Sequence, residues 1–352
     1  MYRKHLPSAP SILIILMGAL GDVARGLCIV SHIKNHRPKS KISWLVEPKW
    51  AEVVRFHPAI YRLIVFNRPR GLPAVKDLYR ELSEENFDIT LDLQRHFKSG
   101  FFSILSRAKR RVGFHRRNAK EFNWLMNNEH IDYSPGGLSK LDLYIRFTRH
   151  LGLPEPKSLD FGFSSLDIAA VRPHISAQLT ESFVAVVMGS SWDSKDWVFE
   201  GYRQLVESIL ESGEIGVVLL GDRSQTEPAE QLTRIIRHPK LVDLVGKTSL
   251  LELTAILKAA RTAVGPDSGP GHLAGAVKTP YVSLFGPTDP TLTAPYGSEH
   301  LVVQVKPECS PCYKRKCPIP DRWCMRQIEA GVVKAKIDQA LLTSTCERFD
   351  TV

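Results

Sequence analysis

The sequence predicts an α/β protein made of two doubly wound, Rossmann-like halves, on three observations. The chain has 352 residues, more than one ordinary core organises. Short, continuously apolar, β-branched runs alternate with helical patterns, as in a parallel sheet covered on both faces. The alternation stops in a proline-bearing stretch and then begins again.

Residues 11–16, Ser-Ile-Leu-Ile-Ile-Leu, read as the first buried strand. The turn Gly18-Ala19-Leu20-Gly21-Asp22 then opens a helix carrying Leu27, Ile29, Val30 and Ile33. Further strands are predicted at 42–46, 63–66 and 87–93. Pro154, Pro156 and Pro173 place a boundary between Leu151 and Thr180. The second half restarts with strands at 183–188, 216–221 and 241–244 and helices at 202–210 and 250–260. Two such domains facing one another leave a cleft.

Hydrophobic content of 43% and charged content of 24% describe a globular chain. The apolar run at 12–20 is too short to span a bilayer and meets Gly21-Asp22 instead of a cleavage site, so a cytoplasmic protein is expected. A net charge of +10 calls for an anionic partner: nucleic acid, a membrane surface or a phosphorylated substrate.

The stretch most suited to chemistry is Val264-Gly265-Pro266-Asp267-Ser268-Gly269-Pro270-Gly271-His272, followed by an apolar run and Gly286-Pro287-Thr288. It reads as a strand end, a glycine turn and a short helix. The first amides of a helix have no intrahelical partner and carry the positive end of its dipole, so a diphosphate fits there. Asp22, just past the first strand, is either a base or a helix-capping carboxylate. Arg95, Lys98, Arg107, Lys109, Arg110, Arg111, Arg116, Arg117 and Lys120 follow the strand at 87–93 with no acidic residue before Glu121. With Phe101, Phe102 and Phe114 interleaved, they suggest an anion-facing surface whose aromatics suit a lipid interface.

Three motifs in order carry a resemblance: Gly21-Asp22-Val23, Ser190-Ser191 with Lys195 and Trp197, and Asp267-Ser268-Gly269-x-x-His272 with Phe285-Gly286-Pro287-Thr288. Together they resemble the heptosyltransferases of glycosyltransferase family nine. The resemblance implies a GT-B fold, two Rossmann-like domains across a central cleft: an acceptor-binding domain at 1–165, a nucleotide-sugar domain at 166–325, and a last helix at 326–352 packing back on the first. It implies inverting transfer of heptose from ADP-heptose to the Kdo or heptose inner core of lipopolysaccharide. Asp22 corresponds to the general base; Ser190, Ser191, Lys195, Asp267, Ser268, Gly269 and His272 to nucleotide-sugar residues; Arg25, Lys98 and Lys120 to acceptor contacts. Arg25 stands where the family commonly has another residue, and its charge is expected to lower the pKa of Asp22. The implied partners are a nucleotide-sugar donor and an anionic, lipid-anchored acceptor met at the cytoplasmic face of the inner membrane, with no nucleic acid. Asp-x-Asp is absent from the sequence and no cofactor is expected.

Cys309, Cys312, Cys317 and Cys324 crowd one basic loop. They are a candidate structural zinc set, but the later spacings fit zinc modules poorly, so reduced thiols or a disulfide are favoured. Cys28 and Cys346 read as isolated residues. Rival functions are a related transferase with another nucleotide sugar or acceptor, an NAD-dependent oxidoreductase with Glu47 holding a ribose, and a zinc-containing nucleic-acid-binding protein. The oxidoreductase lacks Gly-x-Gly-x-x-Gly. The nucleic-acid reading leaves the two halves unexplained.

Overall fold

The computed structural model describes residues 6–349, apart from the side chains of residues 321 and 343–349. Cys346 therefore lies outside the described side chains. Two units divide the chain, Met1–Phe163 and Ser164–Val352. The first runs β1 (Ser11–Ile15), α1 (Leu20–His36), β2 (Lys41–Val46), α2 (Ala51–Phe56), β3 (Arg62–Val65), α3 (Leu72–Ser83), β4 (Ile89–Asp92), α4 (Phe97–Leu105), β5 (Arg110–Gly113), β6 (Glu129–His130) and α5 (Lys140–His150). The second opens with α6 (Ile168–Val171), α7 (Pro173–Ser176), β7 (Phe183–Val187), α8 (Phe199–Leu210), β8 (Gly216–Leu220), α9 (Thr226–Ile235) and β9 (Leu241–Asp243). It continues through α10 (Leu250–Ala259), β10 (Thr262–Pro266), α11 (Gly269–Ala276), β11 (Tyr281–Phe285), α12 (Pro290–Thr293), β12 (Val302–Gln304), α13 (Trp323–Arg326) and α14 (Ala330–Phe349).

Each unit is built on a six-stranded sheet, ordered β3-β2-β1-β4-β5-β6 in the first and β12-β11-β10-β7-β8-β9 in the second. All the pairings are parallel. Numbered within its own unit, each sheet has the doubly wound order, with a reversal between its first and fourth strands. Ligand crevices of such sheets lie beyond the carboxyl ends of those two strands. In this chain those ends are the segments after β1 and β4, and after β7 and β10.

Burial explains which strands form where. Central strands are covered on both faces, so β1 and β7 are almost wholly apolar and buried. Outer strands are shorter and carry charge, as with Arg62 on β3, Glu129 on β6 and Asp243 on β9. In the first unit Leu13, Ile15, Leu45, Ile64, Leu78, Leu82 and Phe102 share one core cluster. In the second, Val184, Val186, Leu205, Ile209, Val264, Val282 and Met325 do so.

One expectation needs correction. Arg110 and Arg111 do not belong to an anion-facing surface: they form β5, where Arg110 makes two 2.9 Å bonds to the Glu129 carboxylate and Arg111 donates to Met126 O and Ala108 O. Of the three interleaved aromatics, Phe102 and Phe114 are buried and only Phe101 is exposed. Val333, Ile337 and Ala340 of α14 enter the second unit's own core, because their spacing presents one apolar stripe to α8 and strands β10 to β12.

Candidate active site

In the first unit the segment after β1 is pinned to its neighbour β4. Gln94, two residues past β4, accepts from Met17 N at 2.7 Å and donates to Gly18 O at 2.8 Å. Gly18 must lack a side chain, since a Cβ there would sit 2.6 Å from Trp50 Nε1. The turn so fixed delivers Asp22 into the first turn of α1.

The Asp22 carboxylate is held by two cations. Arg25 Nη2 lies 2.7 Å from Oδ1, the pairing the sequence predicts, and Lys140 Nζ lies 3.0 Å and 3.3 Å from the two oxygens. Tyr144 lies one turn along α5 from Lys140 and is buried. Burial pushes this carboxyl up, but the charges and hydrogen bonds of Arg25 and Lys140 outweigh it and hold Asp22 well below the usual carboxylate range. Burial lowers the Lys140 ammonium, with Asp22 opposing, and raises the Tyr144 phenol well above its ordinary value. The result is a carboxylate ionised at any physiological pH, in a strongly positive setting. Lys140 and Tyr144 were missed by the sequence reading. Ser139 caps α5 by accepting from Asp142 N, and the helix repeat puts Lys140 and Tyr144 on one face, but no local signal ties that face to Asp22.

The other two expected acceptor residues lie elsewhere in this unit. Lys98 on α4 sits 3.5 Å from Glu47 Oε1 and over the Phe66 ring, so Glu47 is engaged by a lysine. Lys120 is exposed in the loop before residue 121, its backbone N–H donating to Arg95 O.

In the second unit the segments after β7 and β10 meet through an ion pair. Lys195 Nζ donates to Asp267 Oδ2 at 2.7 Å and to Asp267 O at 3.2 Å, and lies 4.5 Å from the Trp192 ring centre. Thr288 Oγ1 donates 2.7 Å to the same Asp267 oxygen. Asp267 is buried and the Lys195 side chain only 14% exposed, so neither charge is left to solvent. The turn after β7 needs Gly189 at φ 73, where a Cβ would also meet Gln225 at 2.4 Å. Ser190 Oγ donates to Trp192 O and accepts from Trp192 N, while Ser191 is exposed. Trp197 is a core residue, its indole donating to Ile328 O.

α11 starts at Gly269 with Ser268 as an extended N-cap whose side chain makes no capping bond. His272 is buried within its first turn. The first amides of this helix thus follow directly on Asp267 and its Lys195 partner, and carry the positive end of the helix dipole. Asp222, past β8, is occupied by Ser224.

The cysteine loop clamps these segments through hydrogen bonds to main-chain carbonyls. Tyr313 N donates to Pro287 O at 2.8 Å, Ser310 Oγ to Gly286 O at 2.7 Å, and Ser194 Oγ to Lys314 O at 2.6 Å. Cys309 is exposed, Cys312 and Cys317 are partly buried, and burial raises the thiol of Cys324. Among the described residues no group of three or more His, Cys, Asp or Glu side chains is placed to hold a metal ion.

Paired Rossmann-like units, each with charged groups beyond its central strands, are the build of a GT-B glycosyltransferase. The model of glycosyltransferase family 9 (heptosyltransferase) matches residues 75–322. The chain belongs to that family. It is 30% identical over 302 residues, 85% of each chain, to the lipopolysaccharide core heptosyltransferase OpsX of Haemophilus influenzae. Its fold is similar to that of a family 9 glycosyltransferase from Veillonella parvula, at a TM-score of 0.81 and 19% identity, covering 96% of this chain and 99% of that one. Similarity extends to E. coli heptosyltransferase WaaC with ADP, at a TM-score of 0.74 and 24% identity, covering 94% and 99%.

Proposed function

We propose that the protein transfers heptose from ADP-heptose to the Kdo or heptose residues of the lipopolysaccharide inner core, with inversion. The observation that carries the reading is the Lys195–Asp267–Thr288 cluster beside the N-terminus of α11, at the strand reversal of the second sheet. The names of the sequence relatives support the donor and acceptor classes.

On this reading the acceptor hydroxyl oxygen attacks the anomeric carbon from the face opposite the diphosphate. The bond from that carbon to the diphosphate oxygen breaks, ADP leaves with the electron pair, and Asp22 takes the hydroxyl proton. Negative charge grows on the departing diphosphate. Lys195, the hydroxyls of Ser190, Ser191 and Ser268, and the amides around Gly269 and His272 stabilise it, while Asp267 and Thr288 keep Lys195 in place. Arg25, Lys98 and Lys120 serve the anionic acceptor. Because Asp22 is so weak a base, proton transfer comes late, once the attacking oxygen has acquired positive charge. The lysine and arginine around it favour an anionic acceptor group that competes for those cations and frees the carboxylate. Among the described residues no helix is long and apolar enough to cross a membrane, so the enzyme would reach its lipid-anchored acceptor peripherally, at the cytoplasmic face of the inner membrane.

The test is ADP release by purified enzyme offered ADP-heptose with Kdo-bearing lipid A, against other nucleotide sugars and acceptors. Release that needs both ADP-heptose and the Kdo acceptor supports the reading. Faster release with another pair assigns a different substrate to the same site.

A further inference from the structure

We propose that the outer face of α4, with the adjoining turn at residues 122–125, docks onto an anionic lipid bilayer. The inference deepens the reading of a lipid-anchored acceptor and rests on it for its purpose, although its test does not need that acceptor.

α4 is built inside out. Its inner side carries Ser99, Gly100 and Ser103 beside Phe102, because the buried Asp92 carboxylate lies beneath it. Asn123 Nδ2 donates to Asp92 Oδ2 at 2.6 Å, Asn127 Nδ2 donates to it at 3.3 Å, and Ser103 Oγ donates to Asn127 Oδ1 at 2.7 Å. The outer side presents Phe97 at 52% exposure, Phe101 at 38% and Ile104 at 46%. Spaced at four and three residues, these fall within about 60° of one another around the helix. A helix on a water-soluble core normally shows the reverse.

The turn at 122–125 enlarges this face with Phe122 at 71% and Leu125 at 63% exposure. It is held against the helix start. The Glu121 carboxylate accepts from Phe97 N and from His96 Nδ1, both at 3.1 Å. Glu121 and Phe122 both take left-handed backbone, φ 51 and 57, which residues with side chains rarely adopt without support.

Charge says what covers the face. Of the nine Lys or Arg from residue 93 to residue 128, Arg110 pairs with Glu129, Lys98 with Glu47 and Arg111 bonds backbone carbonyls, while Arg107, Lys109, Arg116, Arg117 and Lys120 are exposed; the acidic residue of that stretch, Glu121, is engaged at the helix start. Arg107 directly follows the helix and Lys120 precedes the turn, and both are exposed. A second copy of the chain would bring like charges together. A bilayer with anionic headgroups satisfies both halves, since the rings and Ile104 enter the acyl boundary while the cations stay among phosphates.

The test is sedimentation of the full-length protein with phosphatidylcholine vesicles, with and without phosphatidylglycerol. Wild type should pellet with the phosphatidylglycerol vesicles in a salt-sensitive way. Phe101→Ser/Ile104→Ser should lower that partition by about tenfold or more, with an unchanged melting temperature and ADP affinity. Arg107→Glu should weaken binding to the anionic vesicles and leave the neutral ones unaffected. The proposal is overturned if wild type stays in solution with both vesicles, or if the double variant pellets like wild type. It is also overturned if wild type is a dimer that the double variant makes monomeric, which would assign the face to a second copy. Loss of ADP binding by wild type would count against the donor reading alone and leave the docking result standing.

Discussion

Replacing Lys140 with methionine keeps the side-chain stem and removes one of the two charges on Asp22. At the observed 3.0 Å, two unit charges interact by about 5.5 kcal/mol at an effective dielectric of about 20. The Lys140 side chain is 34% exposed, so water screens the pair, and the part that survives is about 1–2 kcal/mol. Arg25 remains at 2.7 Å, so the carboxylate stays partly neutralised. Because the folded state holds Asp22 below its unfolded value, the pair stabilises the protein above about pH 4, and that contribution is lost as pH falls through the lower folded value. Lys140→Met therefore lowers the melting temperature at pH 7 by about 2–6 °C for a unit of this size. Melting curves at pH 7 and at pH 4 measure the loss. A melting temperature equal to wild type would refute the claim that Lys140 stabilises the fold through the Asp22 carboxylate.

Three further outcomes follow from the geometry. Lys195→Ala leaves the buried Asp267 carboxylate without its cation and should lower ADP affinity by about tenfold or more, read by calorimetry, with Lys195→Arg retaining part of it. Thr288→Val removes one donor from Asp267 and should cost about 1 kcal/mol, seen as a melting temperature about 2–4 °C lower, while Lys195 stays in place. His57 is buried, its Nδ1 accepts from Ala59 N and its Nε2–H donates to Ser31, and burial pushes it down to about 4. Its neutral form therefore stabilises the fold fully above about pH 6.5, and roughly 3 kcal/mol is lost as pH falls toward 4. Melting temperatures from pH 7 to pH 5 should fall less steeply in His57→Gln than in wild type.

The sequence showed best what burial constrains most. Central strands such as β1, β7 and β11 are covered on both faces, so their composition alone marks them. β5 was invisible because Arg110 and Arg111 look like surface residues until their partners, Glu129 and the carbonyls of Met126 and Ala108, fold against them. The same limit applies to the aromatics. Phe101 and Phe102 are adjacent in sequence, yet helix phase buries one and exposes the other.

Local motifs singled out Asp22, Lys195 and Asp267, in the segments that follow β1, β7 and β10, and the structure places each of them in an ion pair. Lys140 lies 118 residues from the carboxylate it holds, and nothing local in its segment names that partner. Thr288 was part of a motif, but its role as a donor to Asp267 depends on β10 and β11 lying side by side. The cysteine loop drew attention for its thiols, whereas its hydrogen bonds to Pro287, Gly286 and Ser194 explain its position.

The most direct test of the central claim compares wild type with Asp22→Asn in single-turnover transfer from ADP-heptose to the Kdo acceptor, with ADP affinity measured alongside. The account predicts that transfer falls by about 10²–10⁴-fold while ADP affinity is unchanged, since Asp22 takes a proton and does not hold the donor. Transfer by Asp22→Asn at the wild-type rate would contradict it.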